Sequence, residues 1–469
     1  MTYCRYDEYR SVPSGWIDEI PKHWGLATLR WIATIYAGGT PDKNNESLWT
    51  DGDVPWLNSG AVNQRLITQP SAYITQEALH VSSAKWVPKN SLLIALAGQG
   101  KTKGTVAQLS ISASCNQSMA AIVPRGYISG RFVYWWLTSN YTNIRHLAGG
   151  DLRDGLNLEM LGDIACPVPP QSEQSLIAAF LDHETARIDA LIEEQQRLID
   201  LLQEKRQAVI SHAVTKGLDP DVPMKDSGVE WLGRIPKHWR TARLKHVVAR
   251  KPGAIRPGPF GSQIKGDDFL ASSEYPVYNQ STVIADDFSH SAYISKEKFE
   301  ELRAFKTAPR DILITARGTI GRLAIVPKEV PVGVIHPCLI RVRLDERVGI
   351  AEFVGAIFRF TPIALEQLRL SSNATTIDVV YAGTLSDVWL AIPPISEQRE
   401  IITSIQYQTL RIDDALSEAR KLIGVLKERR SALISAAVTG KIDVRGWKPQ
   451  NAPVESELPH AAETEAPYG

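Results

Sequence analysis

Apolar residues recur at intervals of three or four over two long stretches of the chain, residues 169–217 and 393–440. This period predicts two amphipathic helices, each roughly 60 Å long at 1.5 Å per residue. A Pro-Pro pair opens each stretch and cannot lie inside a helix, whereas Gly217 and Gly440 are typical C-terminal stops. Ser172 and Ser396 are the expected N-caps of the two helices. Pro-Pro, Glu-Gln and Arg-Ile-Asp follow one another at matching positions of both stretches, so one element is present twice.

The apolar stripe of each helix indicates a partner helix, and the other copy is the nearest complementary one. Leu191 and Leu198 widen the stripe, whereas Gln195 and Arg206 interrupt it, so the predicted coiled coil is imperfect. The alternative is two independent amphipathic helices, each packed on its own core. The residues predicted to form the helix–helix seam are Ile188, Ile192, Ile199, Leu202, Val209, Ile412, Leu416, Ile423, Leu426 and Leu433.

A second repeated element is built around Ile-Pro-Lys-His-Trp. Residues 15–24 read GWIDEIPKHW and residues 230–239 read EWLGRIPKHW. A turn at Ile-Pro between two tryptophans, which bury large areas, predicts a clip that fastens the start of each half to a larger body. His23 and His238 could act in catalysis, but neither has an evident acidic or cysteine partner in the sequence, so a structural role is favoured.

A variable region follows each clip, at residues 25–165 and 240–389. Both regions are rich in short β-like runs and turns, and the similarity between them is patchy but keeps the same order along the chain. Helices are predicted at residues 130–138 and 351–360. The whole chain is therefore expected to consist of two similar halves, each a mixed, mostly β domain followed by a long helix.

The composition limits the class of protein but does not indicate a particular ligand. Lys plus Arg and Asp plus Glu both number 52, so a nucleic-acid binder would have to segregate charge onto one face. The four cysteines are far apart and form no CxxC pair, so neither a zinc site nor a disulfide framework is indicated. No apolar signal core and no apolar run of membrane-spanning length is present, which predicts a cytoplasmic protein with no membrane partner.

The order of clip, variable domain and PPQSEQ or PPISEQ helix, repeated once, resembles the specificity (S) subunit of Type I restriction–modification systems, the HsdS family. The resemblance implies an α+β fold: two mixed, mostly β target recognition domains separated by two long antiparallel coiled-coil helices, with a pseudo-two-fold repeat. It further implies that each domain reads one half of a split DNA sequence. The helices would set the spacer and dock two methyltransferase subunits, and restriction subunits (the translocase and nuclease) would join them.

No catalysis and no cofactor are expected in this chain, because the resemblance assigns S-adenosylmethionine, ATP and Mg to partner subunits. The predicted division of the chain is a clip at 1–24, target recognition domain 1 at 25–165, a central helix at 166–217, a linker and second clip at 218–239, target recognition domain 2 at 240–389, a C-terminal helix at 390–440 and a disordered tail at 441–469.

Double-stranded DNA would be contacted by basic and amide side chains in loops, through phosphates and base edges. The GQGKTKG and GGDLRDGLN loops are favoured in the first domain, with their counterparts and a Gly-Pro-rich stretch in the second. The predicted DNA-binding residues are Lys43, Gln99, Lys101, Lys103, Arg153, Asn157, Arg256, Gln263, Lys265, Arg317, Thr319, Arg322, Asn373 and Thr375. Asn116-Gln117 and Asn279-Gln280 could read bases or satisfy turn backbone groups.

Two other function classes remain open. GQGKTKG, residues 98–104, superficially suggests a phosphate-binding loop, but Ala95 stands where the motif needs its first Gly, and the following residues are β-like rather than helical. A turn between two strands is favoured over an NTP-dependent enzyme. A stand-alone two-domain scaffold that binds DNA or protein is the second alternative.

Overall fold

The structure, a computed structural model, describes residues 4–98, 101–147, 155–289, 292–317, 319–371 and 379–448. The chain divides into two units, the first being Met1–Gln195 with Lys421–Gly469 and the second Gln196–Arg420. Both boundaries fall inside the long helices, so each unit combines one variable domain with part of both helices.

The elements of the first half alternate short strands with short helices before one long helix. The strands are β1 Tyr9–Ser14, β2 Ile17–Pro21, β3 Gly25–Thr28, β4 Ala33–Ala37, β5 Val54–Leu57, β6 Leu66–Ile67, β7 Ala72–Ile74, β8 Leu92–Ala95, β9 Val106–Leu109, β10 Ser114–Cys115, β11 Met119–Pro124 and β12 Ala165–Val168. The helices are α1 Leu29–Ile32, α2 Gln76–Val81, α3 Gly130–Ser139, α4 Tyr141–His146, α5 Leu158–Gly162 and the long α6 Gln171–Lys216, with 3-10 turns at Glu46–Leu48 and Ser59–Gln64.

The second half repeats this alternation. Its strands are β13 Met224–Asp226, β14 Arg234–Pro236, β15 Arg240–Arg243, β16 Ile255–Pro257, β17 Tyr275–Tyr278, β18 Ala292–Ile294, β19 Ile312–Thr315, β20 Leu323–Ile325, β21 Val334–Ile335, β22 Leu339–Val342 and β23 Trp389–Ile392. Its helices are α7 Gln280–Ala285, α8 Lys296–Glu301, α9 Ala351–Phe360, α10 Ile363–Ser371, α11 Ala382–Ser386 and the long α12 Ile395–Val438, with 3-10 turns at Leu244–His246, Gly266–Asp268 and Arg303–Phe305.

A sheet in the order β4-β11-β8-β9-β6 forms the centre of the first variable domain. All four residues of β8 are buried, because this sheet is covered on both faces, and such strands read as continuous apolar runs. Leu92 and Ile94 pack in the core that contains α3 and the start of α6. Leu93 and Ala95 pack in a second core with residues of the smaller sheet β10-β5-β7.

The second variable domain has the same plan with other residues. Its central sheet has the order β16-β22-β19-β20, and a smaller sheet has the order β18-β17-β21. Ile312 and Ile314 of β19 pack in the core that contains α9, whereas Leu313 packs with Tyr278 and Ile335 of the smaller sheet. The two helices predicted in the variable regions are present as α3 and α9.

The first and last strands of each variable domain pair with each other. β3 is antiparallel to β12, with Gly25 opposite Val168, and β15 is antiparallel to β23, with Arg240 opposite Ile392. The variable domains therefore end later than predicted, at 168 and 392, because their closing strands occupy residues that the sequence assigned to the helices. The predictions that Ser172 and Ser396 are the N-caps are also wrong, since α6 begins at Gln171 and α12 at Ile395.

The two long helices run antiparallel within each unit. In the first unit Asp189 of α6 contacts Arg430 of α12, and in the second unit Arg206 contacts Asp413. All ten residues predicted for the seam are buried or half-buried. Leu191 and Leu198, in contrast, are 46% and 41% exposed and lie outside it. The stripe is therefore narrower than its composition suggested.

The residues directly after α12 pack on the first unit. Val444 is 1% exposed and belongs to its core, the ring of Trp447 lies 5.5 Å from that of Phe180, and the backbone N–H of Asp443 donates to the carbonyl of Cys4 at 2.8 Å. The predicted tail, 441–469, is thus wrong for residues 441–448, and its remainder lies outside the described residues.

Candidate nucleic-acid interface

Two loops of the first domain that were predicted separately are adjacent in space. The backbone N–H of Leu156 donates to the carbonyl of Leu96 at 2.8 Å, which places residues 155–157 beside the loop after β8. Lys101 is exposed in that loop, and its carbonyl accepts from the hydroxyl of Tyr141 at 2.7 Å. This is a polar surface with an exposed cation and a short backbone segment alongside.

Two other predicted residues of this surface have positions that suit a role in local structure: one is buried and the other caps a helix. Lys103 is only 4% exposed, which contradicts its predicted role as a DNA contact. Asn157 is exposed, but its side-chain oxygen accepts from the N–H of Met160 at 2.8 Å and thereby caps α5. Lys43 is exposed in a turn before the 3-10 helix at Glu46–Leu48. The Asn157 cap is an example of a short polar side chain that is used by the local backbone.

The second domain has the equivalent arrangement at its own loop after β19. The N–H of Val380 donates to the carbonyl of Ala316 at 2.8 Å. Arg317 forms an isolated antiparallel β-bridge with Val379, the residue before Val380. Thr319 and Arg322 are exposed in the same loop. The loop is held by the hydroxyl of Thr315 at the end of β19, which accepts from the N–H of Arg322 at 3.0 Å.

The remaining predicted residues of the second domain lie elsewhere. Arg256 is on β16, half-buried, with its guanidinium 5.8 Å from the ring centre of Phe305. The side-chain oxygen of Gln263 accepts from the N–H of Phe260 at 2.9 Å, and Lys265 is exposed beside it. Four predicted residues, Gln99, Arg153, Asn373 and Thr375, lie outside the described residues.

The two polar pairs left open by the sequence contain residues that satisfy the backbone. Asn279 caps α7 by accepting from the N–H of Thr282 at 3.1 Å. Asn116 accepts from the N–H of Ser118 at 3.2 Å. For these two asparagines the turn role is the one observed.

Four basic residues near Arg256 were missed by the sequence analysis. Arg341 and Arg343 lie on and just after β22, and Arg303 and Lys306 lie in and after the 3-10 helix before β19. The signal was present, because LIRVRL at 339–344 places arginines at alternating positions of an otherwise apolar strand. An alternating pattern puts both side chains on one face of the sheet.

A glutamate of each long helix holds the clip of the same unit. Glu173, 8% exposed, accepts from Trp24 Nε1 at 3.1 Å and from the hydroxyl of Tyr6 at 2.9 Å, and its Oε1 lies 2.8 Å from His23 Nε2. Burial, together with the charge of Glu173, raises the pKa of the Tyr6 phenol. Both clip histidines therefore have an acidic partner, contrary to the sequence analysis. In the second unit Glu397 binds the equivalent pair, with 2.7 Å to His238 Nε2.

The glutamine that follows each glutamate joins the helix to its variable domain. Gln174 donates to the carbonyl of Pro169 at 2.8 Å and accepts from the N–H of Ser129, the N-cap of α3, at 2.7 Å. Gln398 donates to the carbonyl of Pro393 at 3.0 Å and accepts from the N–H of Ile350, before α9, at 2.9 Å. The Glu-Gln dipeptide thus fixes both the clip and the recognition domain at one helix end, which explains the structural role of the histidines.

The enzyme signals are weak in the described parts of the chain. The GQGKTKG loop joins the antiparallel strands β8 and β9, so it has no strand-to-helix geometry of a phosphate-binding loop. No cluster of His, Cys, Asp and Glu suited to a metal ion is found among the described residues. No helix within the described ranges has the length and hydropathy needed to cross a membrane.

Residues 21–201 and 260–419 match the family model described as Type I restriction modification DNA specificity domain. The chain is 24% identical over 371 residues to the Type I restriction enzyme EcoBI specificity subunit of Escherichia coli, which covers 78% of this chain and 76% of that protein. A chain solved in work on complex assembly and conformational transition of the type I R-M system has the same fold, with a TM-score of 0.70 at 14% identity over 90% of this chain and 99% of that one.

The HsdS subunit from Thermoanaerobacter tengcongensis also shares the fold, with a TM-score of 0.52 at 15% identity over 90% of this chain and 98% of that one. The resemblance and the α+β fold class stated from the sequence are therefore confirmed. Because the family model takes in more than half of the chain, including most of both variable domains, the chain belongs to the Type I restriction–modification specificity family and is a DNA-specificity subunit rather than an enzyme.

Proposed function

We propose that each variable domain of this chain reads one half of a bipartite sequence in double-stranded DNA. The observation that carries the proposal is the repeated plan with different loops. The loops after β8 and β19 occupy the same position in each domain, next to the segment that precedes α5 or α11, yet one presents Lys101 and the other Arg317 and Arg322. Similar frames that present different polar loops are suited to reading two unrelated half-sites.

The long helices are proposed to set the spacer and to dock two methyltransferase subunits. Supporting this, the repeat exposes equivalent apolar pairs: Leu198 and Leu201 are 41% and 53% exposed on α6, and Leu422 and Val425 are 43% and 59% exposed on α12. Each pair is spaced to lie on one helix face. Two copies of one patch fit two copies of one partner.

Restriction subunits, with translocase and nuclease activity, are proposed to join the same complex in the cytoplasm. S-adenosylmethionine, ATP and Mg are proposed to bind to those partner subunits rather than to this chain. Co-purification of the full chain with a methyltransferase subunit distinguishes this assembly from a stand-alone scaffold, which would purify alone. ATP binding by the isolated chain would instead favour the NTP-dependent alternative.

A domain exchange tests the reading model. Replacing residues 25–168, bounded by the paired strands β3 and β12, with the same region of another specificity subunit keeps the closing strand pair intact. Sequencing of methylated DNA should then show one changed half-site and one unchanged half-site. A matched exchange of residues 240–392 should change the other half. If either exchange alters both halves, the domains do not read independently.

A further inference from the structure

Five cationic side chains surround one cavity in the second variable domain. The cavity has a volume of about 340 Å³. We call it the basic pocket; its basic residues are Arg256, Arg303, Lys306, Arg341 and Arg343. Arg303 and Lys306 are exposed at its rim, and neither forms an ion pair with another described residue. A concentration of uncompensated positive charge of this kind attracts anions.

Arg341 is the buried member of the basic pocket. It is 5% exposed, and its two terminal nitrogens donate to the carbonyls of Lys306 and, at 2.9 Å, Gly253. Its Nε–H is buried and has no hydrogen-bond partner among the described residues. A buried donor without a partner is rare in proteins and calls for an acceptor.

The carboxylate beside the basic pocket, that of Asp311, already accepts hydrogen bonds from Arg343 and from the backbone. Asp311, 1% exposed, accepts from Arg343 at 2.7 and 2.6 Å and from the N–H of Ala308 at 2.7 Å, whereas it is 4.0 Å from Arg341 Nε. Burial, and then the charge of Arg343, lower the pKa of Arg341 to about 10, so the guanidinium is still charged at neutral pH. A bound anion would relieve this repulsion.

The equivalent position of the first domain has a different lining, although the strand pairing is the same. Ala121 stands where the second domain has Arg341, and its strand neighbour Tyr36 stands where the second has Arg256. The hydroxyl of Tyr36 donates to the carbonyl of Trp86 at 2.7 Å, just as Arg341 donates to the carbonyl of Lys306. An alanine and a tyrosine of one domain thus stand where the other has two arginines of the basic pocket.

We infer that the basic pocket binds a phosphate group, with Arg341 at its base and Arg256, Arg303 and Lys306 at its rim. Planar guanidinium groups match the oxygens of a phosphate and form charge-assisted hydrogen bonds with them. The group has two sources, a phosphodiester of DNA or a free phosphate. The first source rests on the proposed function, and the second does not.

The first experiment uses inorganic phosphate and the full chain. Isothermal titration at constant ionic strength should detect binding to the wild-type protein. It should show a loss of about tenfold or more in the variant with Arg256→Gln, Arg303→Gln and Lys306→Gln, because hydrogen bonds to charged groups are removed. Lys328→Gln, an exposed lysine of the same domain outside the pocket, is the matched control and should bind normally. Arg303→Gln with Lys306→Gln alters exposed residues alone and serves if the triple variant does not fold.

The second experiment separates the sources. Binding of random-sequence double-stranded DNA is measured over a range of salt concentrations. The slope of log Kobs against log salt should become about one unit shallower in the triple variant if the pocket holds a DNA phosphate. An unchanged slope with loss of phosphate binding assigns the pocket to free phosphate. The inference is overturned if the variants match the wild type in both experiments, and this result would leave the half-site model, tested by domain exchange, unaffected.

Discussion

Asp189 and Arg430 form an ion pair between the two long helices, with 2.9 Å between Oδ1 and Nε. The positions that match these two in the repeated helices are Asp413 and Arg206, which form the reciprocal pair at 3.0 Å. Arg206 interrupts the apolar seam in the sequence, yet it is matched by a carboxylate on the opposite helix. Polar residues in a helix seam can specify its register, at some loss of stability. The register of the antiparallel pair is therefore marked once in each unit.

Exchanging the charges of the second pair should show that it acts as a unit. Asp413→Arg should place two cations together and lower the unfolding temperature by a few degrees, while the double exchange with Arg206→Asp should recover most of the loss. The pair is one-third to one-half exposed, so its coupling energy is expected to be about 0.5–1 kcal/mol. Calorimetry measures the unfolding temperatures of the single and the double variant, and the exposed Asp414→Arg is the control. A double exchange no more stable than the single variant contradicts the register role.

Removing the charge of the buried clip acceptor should destabilise the first unit. Glu173→Gln leaves one carbonyl oxygen for donors that now share a carboxylate, so an unfolding free-energy loss of about 1–3 kcal/mol is expected in urea titrations. Glu194→Gln, exposed on the same helix, should change it little. Equal effects of the two variants would show that the junction does not contribute.

The glycines that end the two long helices should differ in their tolerance of alanine. Both have positive φ, +83° at Gly217 and +71° at Gly440, a conformation that penalises any Cβ by about 1 kcal/mol. At Gly440 the Cβ would also lie 2.5 Å from Pro21 Cδ, whereas the nearest atoms at Gly217 are 3.5 Å away. Gly440→Ala should therefore lose about 1–3 kcal/mol more than Gly217→Ala in denaturant unfolding. Similar losses of unfolding free energy in the two variants would mean that Pro21 of the clip can shift at little cost to make room for the Cβ.

The stability of the second unit should depend on His336 in mildly acidic solution. Burial lowers the pKa of His336 below its ordinary 6.5, and its Nδ1 accepts from the N–H of Cys338 at 3.3 Å. Below pH 6.5 the unfolded chain takes up this proton before the folded one does, so stability falls as the pH falls from 6.5 towards the folded-state value. His336→Gln should flatten this part of the pH profile in denaturant titrations. The exposed His246→Gln should leave the profile as it is, and an unflattened His336→Gln profile would contradict the prediction.

Lengthening both long helices together should alter spacing without altering sequence preference. Seven residues inserted between Glu204 and Lys205, matched by seven between Asp414 and Ala415 on the opposite helix, keep the seam facing its partner and add about 10 Å. Methylated targets should then tolerate a spacer about three base pairs longer, with the same half-sites. Inserting in α6 alone should instead disturb the register and reduce stability. Methylation with an unchanged spacer would contradict the proposal that the helices set the spacer length.

The sequence predicted the elements that depend on local period and composition. Both long helices, α3, α9, and the strand-to-strand turn at GQGKTKG were identifiable, because apolar spacing and breakers act over a few neighbouring residues. The residues of the candidate sites were harder to predict from the sequence. Lys103 is buried and Asn157 serves as a cap, and a single sequence does not indicate which polar loop residues the backbone will use.

What the sequence by itself determined is the duplicated frame, since a repeat and its heptad-like seam can be read directly from residue spacing. The tertiary structure decided which distant residues complete one another. Glu173 meets Trp24 across 149 positions, Arg206 meets Asp413 across 207, and Arg341 meets Gly253 across 88. Such pairs depend on how strands and helices are brought together, and hydrogen-bond and ion-pair geometry exists only once that packing is formed.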